Sequence, residues 1–234
     1  TQLREQAERV AEHNMPLLLQ GEDGAGKHCF AHYLHSLGKY SNSKFIELNA
    51  ESFPTDSGKL VALAHNNCLF INNVSLLPEK TQALLSHLLE SEQLTQCQLI
   101  FATQHSLESA ISSGQFAEGL LYKINSITFS IPALRDHIED IPELVQHFVD
   151  EQSSQTDVPY RHFTVAAQNR LRNHSWPGNI LELKNLIQRL LILGESEDVD
   201  SKDIDNALQL TSDSTVTVST SDTINYDLPL RESR

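Results

Sequence analysis

The stretch Leu17–Leu34, LLLQGEDGAGKHCFAHYL, decides the fold. Leu17–Leu19 is a short apolar run that reads as a buried strand. It breaks into Gly21-Glu22-Asp23-Gly24-Ala25-Gly26-Lys27, and a helical pattern begins at His28. A strand, a turn carrying G-x-x-x-x-G-K and a helix form the context that a phosphate-binding loop requires. Gly24 and Gly26 let the backbone curl so that successive N–H groups converge on an anion. The helix adds the positive end of its dipole and Lys27 adds a full charge. The position after the lysine should carry Ser or Thr, whose hydroxyl ligates magnesium; here it is His28. The alternative, a glycine turn that merely ends a strand, fits this context less well. Residues 21–28 therefore read as a phosphate pocket whose metal is in question.

Outward from this unit, residues 1–14 read as a polar helix with Leu3, Ala7, Val10 and Ala11 as its stripe, broken at Asn14 and Pro16. Phe45–Leu48 is a second strand, followed by a short, weakly patterned stretch to Asn67. Cys68–Asn72, Leu99–Thr103 and Ile127–Ile131 are further apolar strands, and Glu79–Glu90 is a helix entered at Pro78. Strands separated by helical segments predict crossover units and a mainly parallel sheet flanked by helices over residues 1–132. From 133 to 210 the periodicity is helical only, with helices expected at Asp140–Glu151, Thr164–Asn173, Asn179–Leu193 and Val199–Leu208. Residues 211–234 are Ser/Thr/Asp-rich at first and read as a linker.

The formal charge of −14 over 234 residues disfavours gripping DNA or an anionic membrane through this segment. No apolar run approaches a membrane span. The chain opens at Thr1 and reads as a piece of a longer protein. Cys29, Cys68 and Cys97 are odd in number and far apart, as expected of reduced thiols in a cytoplasmic protein. His28, His32 and His35 share a helix face, but no Cys, Asp or Glu joins them at ligand spacing, so no metal site is expected. The acidic run Glu195–Asp205 reads as a solvated face, and Trp176-Pro177-Gly178 as turn architecture ahead of a helix.

Several segments together resemble one family, the central AAA+ domain of sigma-54-dependent transcriptional activators (bacterial enhancer-binding proteins). GEDGAGK is similar to the family's GESGTGK, and CLFINNVSLLP stands where its TLFLDEIGELP-like Walker B strand belongs. IPALRDHIEDIPELVQHF resembles its P-x-L-R-x-R-x-E-D-I-P run, and WPGNILELKNLIQRL its lid helix. The resemblance spans about Arg9 to Leu208 and implies an AAA+ α/β domain with a helical lid. Asp227–Arg231 is similar to the lead-in to the family's C-terminal helix-turn-helix domain, so DNA contact is expected only through that domain. Self-association, from dimer to ring, and RNA polymerase are the partners the resemblance implies.

The departures from the family pattern matter more. Its Walker B Asp and Glu, which hold magnesium and activate water, are here Asn72 and Asn73; amides carry neither the charge nor the proton affinity for those tasks. Two arginines that reach the neighbouring subunit's site become Ala117 and Lys123. An arginine finger is worth ~10³–10⁵ in rate, and lysine lacks its planar fork. The polar sensor Asn is Gln104, and the lid arginine is Leu181. Phosphoryl transfer rests on such positioning and charge neutralisation, so a degenerate, non-hydrolysing site is expected. The family's sigma-54 contact loop is also missing between Asn49 and the Walker B strand.

Lys27, the loop amides and Arg135 remain to hold a phosphorylated ligand. Degenerate, VpsR-like relatives that regulate biofilm and exopolysaccharide sense cyclic di-GMP; the resemblance makes that ligand, ATP and ADP all candidates, beside an empty pocket. A regulatory and assembly module is the expected role. Two other readings stand open: a working ATPase with replacements such as Glu51, Asp56 or Lys123, and a nucleotide-free scaffold.

Overall fold

In the computed structural model, residues 2–11, 13–155, 158–194 and 196–213 are described. The order is α1 (Gln2–Val10), β1 (Leu17–Gln20), α2 (Lys27–Leu37), β2 (Phe45–Asn49), α3 (Ser57–Ala64), β3 (Cys68–Asn72), α4 (Glu79–Glu90), β4 (Gln98–Thr103), α5 (Leu107–Ser112), α6 (Glu118–Ile124) and β5 (Ile127–Ser130). Then follow α7 (Ile141–Gln155), β6 (His162–Phe163), α8 (Val165–Arg172), α9 (Asn179–Leu193), β7 (Asp198–Val199) and α10 (Ser201–Asp213).

Five strands form one sheet in the order β2-β3-β4-β1-β5, every pairing parallel. β1 lies between β4 and β5, with Leu19 opposite Ala102 on one side and Phe129 on the other. Strand alternation divides the core between the faces. Leu18, Leu69, Ile71, Leu99 and Phe101 pack with Leu60 of α3, Leu85 of α4 and Leu120 of α6. Leu17, Leu19, Phe70, Ile100 and Ala102 pack with Ala7 of α1 and Leu34 of α2. Burying each Leu, Ile or Phe among these contributes roughly 1.5–3 kcal/mol. The sheet presents the ends of β1, β3 and β4 along one edge, where ligands of open α/β sheets bind.

The lid has its own core, in which Trp176 is fully buried among Leu171, Leu183, Ile187 and Ile204. The indole N–H donates to the Leu171 carbonyl at 2.9 Å, so the ring is buried without an orphan donor. Thr164 caps α8 by accepting from the Ala167 amide at 3.2 Å. The buried Arg161 donates to the carbonyls of Leu191, Gly194 and Ser196 where α9 ends, a cation at the negative end of a helix.

The parallel sheet, its flanking helices and the lid helices agree with the expected α/β architecture. Several details differ, among them α5 and α6, which were not expected. The first helix stops at Val10 rather than reaching Asn14. The weakly patterned stretch after Asn49 contains a 3-10 turn and α3, which Asp56 starts by accepting from the Lys59 amide at 3.0 Å. The lid is not wholly helical, because β6 and β7 form a two-stranded parallel pair; two-residue strands carry no period to read. Thr211–Asp213 close α10 rather than opening a linker, since Ile204 and Ala207 anchor that helix in the lid core. The rest of the expected linker, and the lead-in at 227–231, lie outside the described residues.

Candidate functional site

The loop after β1 is built as the glycines require. Gly24 and Gly26 adopt φ of +70° and +99°, conformations that cost glycine nothing. The Gly21 amide donates to the Thr103 carbonyl at 3.2 Å, which ties the loop's start to the end of β4. Lys27 opens α2 and is buried. Its ammonium donates back to the carbonyls of Gly21 at 2.9 Å and Glu22 at 2.7 Å. Burial lowers its pKa, while the nearby Asp23 charge opposes that shift. The cation is thus held against its own loop.

The lid closes on this loop through backbone as well as side chains. The Leu181 amide donates to the Gly24 carbonyl at 3.3 Å. A Cβ on Gly24 would stand 2.3 Å from the Gly178 carbonyl oxygen, so nothing larger than glycine fits. Asn179 is fully buried at the first turn of α9 with φ +54°. Its Oδ1 accepts from the Leu134 amide at 2.9 Å, while its Nδ2 donates to the Asp23 carbonyl at 2.8 Å and to Glu22 Oε2 at 3.1 Å. Arg135 donates to both Glu22 carboxylate oxygens. These bonds, Arg135 first and Asn179 next, lower the Glu22 pKa to about 2. Arg135 was expected to hold a ligand; here it holds Glu22, because a bidentate carboxylate matches the guanidinium fork.

The remaining positions are distributed as follows. His28 turns toward the sheet: its Nε2 lies 3.2 Å from Glu47 Oε2 of β2, and its ring is edge-on to Phe70 at 5.7 Å and to His32 at 4.7 Å. Asn72 ends β3 opposite Asn49, and its Oδ1 accepts from the Asn73 amide at 3.0 Å. Asn73 follows at φ +52°. Gln104 follows β4. Ala117 precedes α6 and its amide donates to Gln82 Oε1 at 2.8 Å. Lys123 reaches across to α4 of its own chain, where its ammonium bonds Ser86 and Glu90. Leu181 lies half-exposed beside Gly24, an apolar group at the loop.

The loop, Lys27, His28, Arg135 and Leu181 thus come together. Lys123 of α6 is engaged on α4, and Ala117 stands just before α6. The Glu51 side chain lies outside the described residues, and Asp56 serves as the cap of α3. Sequence reasoning missed Asn179, taken only as the start of a helix, and Gln82, whose Nε2 also bridges the Leu77 and Gln115 carbonyls. An Asn directly after Gly at a helix start was the one local signal, since Asn tolerates positive φ.

Magnesium, which the family resemblance implies, asks for oxygen ligands, commonly one or two carboxylates plus substrate phosphates. The corresponding positions here carry an imidazole paired with Glu47 and two amides. Among the described residues no group of three or more His, Cys, Asp or Glu side chains is placed to hold a metal. The donor set does not fit the ion.

The sigma-54 interaction domain model matches residues 1–134, and the AAA+ ATPase lid domain model matches residues 135–221. The transcriptional regulator NtrC of Rhizobium meliloti (strain 1021) is 29% identical over 231 residues, covering 86% of this chain and 48% of NtrC. The crystal structure of Brucella abortus NtrX in complex with ADP superposes with a TM-score of 0.78 at 28% identity, covering 86% of this chain and 52% of that one. Its complex with ATP gives 0.79 at 27% identity, covering 90% and 56%. The chain spans about half the length of the curated relatives it matches. Among the described residues no helix is long and apolar enough to cross a membrane.

Proposed function

Since the chain belongs to the sigma-54 interaction domain family, an AAA+ domain with its lid, we propose that it binds a nucleotide without hydrolysing it and serves as a regulatory and assembly module of a cytoplasmic transcriptional regulator. The observation that carries this reading is the pair Asn72–Asn73 at the end of β3, where hydrolysis needs a metal-holding and a water-activating carboxylate. Lys123 adds support, because its ammonium is neutralised by Glu90 of the same chain. The binding half of the machinery is intact: a curled glycine loop, a helix N-terminus and a stored lysine. Relatives of the NtrX type hold ADP and ATP, which supports a nucleoside di- or triphosphate as ligand; cyclic di-GMP is tested beside them.

Output would then come from assembly rather than from work on sigma-54. The interval between β2 and β3 is filled by α3, whose Leu60 and Ala64 are buried in the sheet domain, in place of a projecting contact loop. Ligand-dependent self-association would set the spacing of DNA-binding domains outside this segment and their access to RNA polymerase. Phosphate release with ATP and magnesium, run beside titrations with ATP, ADP and cyclic di-GMP, tests the reading. The expected result is saturable binding that Lys27→Ala abolishes, no turnover, and a ligand-dependent mass. Turnover that disappears in Lys27→Ala would restore the ATPase alternative, and silence with every ligand would leave a structural scaffold.

A further inference from the structure

We propose that nucleotide binding at this loop is independent of magnesium, an inference that rests on the nucleotide-binding reading above. At each position where the ion's ligands would be sought, the group present is either the wrong kind or already engaged.

The Asn72 amide has its orientation set by the backbone. The Asn73 N–H lies 3.0 Å from the Asn72 side chain and must face its oxygen, which assigns the other end of the amide as NH₂. A carboxylate at this place would present an anionic oxygen to a cation. The NH₂ instead presents donors, which repel a cation and suit a phosphate oxygen. His28, where a hydroxyl would ligate the ion, is committed to Glu47 at 3.2 Å and packed edge-on against Phe70.

Two carboxylates close by are engaged as well. Glu22 accepts from Arg135 and Asn179, and Glu47 faces His28. What remains to neutralise phosphate is the protein's own: Lys27, whose ammonium bonds only the uncharged carbonyls of Gly21 and Glu22 and so keeps its charge for an anion, the loop amides and the start of α2. A site of this composition gains nothing from a hydrated divalent ion carried in by the nucleotide.

Calorimetric titration of the chain with ADP, once in magnesium and once in EDTA, decides the matter. The dissociation constants are expected to agree within about twofold, or to favour EDTA. A His28→Thr/Asn72→Asp double variant, which rebuilds the ion's ligands, should bind about tenfold more tightly with magnesium than without it. Binding by the parent chain that needs magnesium, or tightens tenfold with it, overturns the inference while leaving the nucleotide reading standing. No heat in either buffer overturns the nucleotide reading itself, and the inference falls with it. If the double variant does not fold, the parent comparison still decides.

Discussion

Replacing Asn179 by Ala removes one side chain that joins three segments, the loop, the start of the lid and α9. The Leu134 amide would lose its acceptor in a fully buried setting; an orphaned buried donor costs about 1–3 kcal/mol. The bond to the Asp23 carbonyl, 2.8 Å long, adds a loss of about 0.5–1.5 kcal/mol. Alanine must also hold the φ of +54° that Asn tolerates, at a cost of roughly 1 kcal/mol. The expected loss is therefore about 2.5–5.5 kcal/mol, a large share of an ordinary domain's stability. Urea unfolding followed by the fluorescence of Trp176, the chain's one tryptophan, measures it from inside the lid core. Asn179→Gly relieves the backbone strain without restoring the bonds and should lose about 1 kcal/mol less than Asn179→Ala. A loss below about 1 kcal/mol for Asn179→Ala would refute the hub, since the Leu134 amide alone accounts for that much.

Two further perturbations probe the same junction. Gly24→Ala places a Cβ 2.3 Å from the Gly178 carbonyl at a φ of +70°, so it should destabilise by about 2 kcal/mol or more and weaken nucleotide binding; wild-type behaviour by both measures would mean that the lid does not rest on the loop. For pH, Glu22 is depressed to about 2 by Arg135 and Asn179 from an ordinary value of 4.5, so its contribution is fully present above 4.5 and is lost as pH falls through about 2. Acid titration of stability should show this component in the parent chain and a smaller one in Arg135→Ala, where only the Asn179 bond remains; identical acid profiles would assign the Glu22–Arg135 pair no part in closure.

The local pattern of the chain was enough to place a strand, a glycine loop and a helix at residues 17–37, because backbone curvature and periodicity are written in neighbouring residues. It also located the buried strands at Cys68 and Leu99, whose unbroken apolar runs have one physical explanation, burial on both faces. The residue types at His28, Asn72, Asn73, Ala117, Lys123 and Leu181 are likewise read from the chain, as departures from the pattern it resembles.

What each of those side chains does instead was beyond local reading. Arg135 lies 113 positions from Glu22, and Asn179 lies 156 from Asp23; no pattern along the chain connects them, and only the docking of lid on loop makes them partners. The same holds for Lys123, whose role turns on Glu90 in a helix 33 residues earlier. Residue types and spacing determined that a glycine loop joins a strand to a helix here and which side chains stand at its motif positions. The tertiary structure decided which charges are already satisfied within the chain, because pairing energy depends on distance in space and not on separation in sequence.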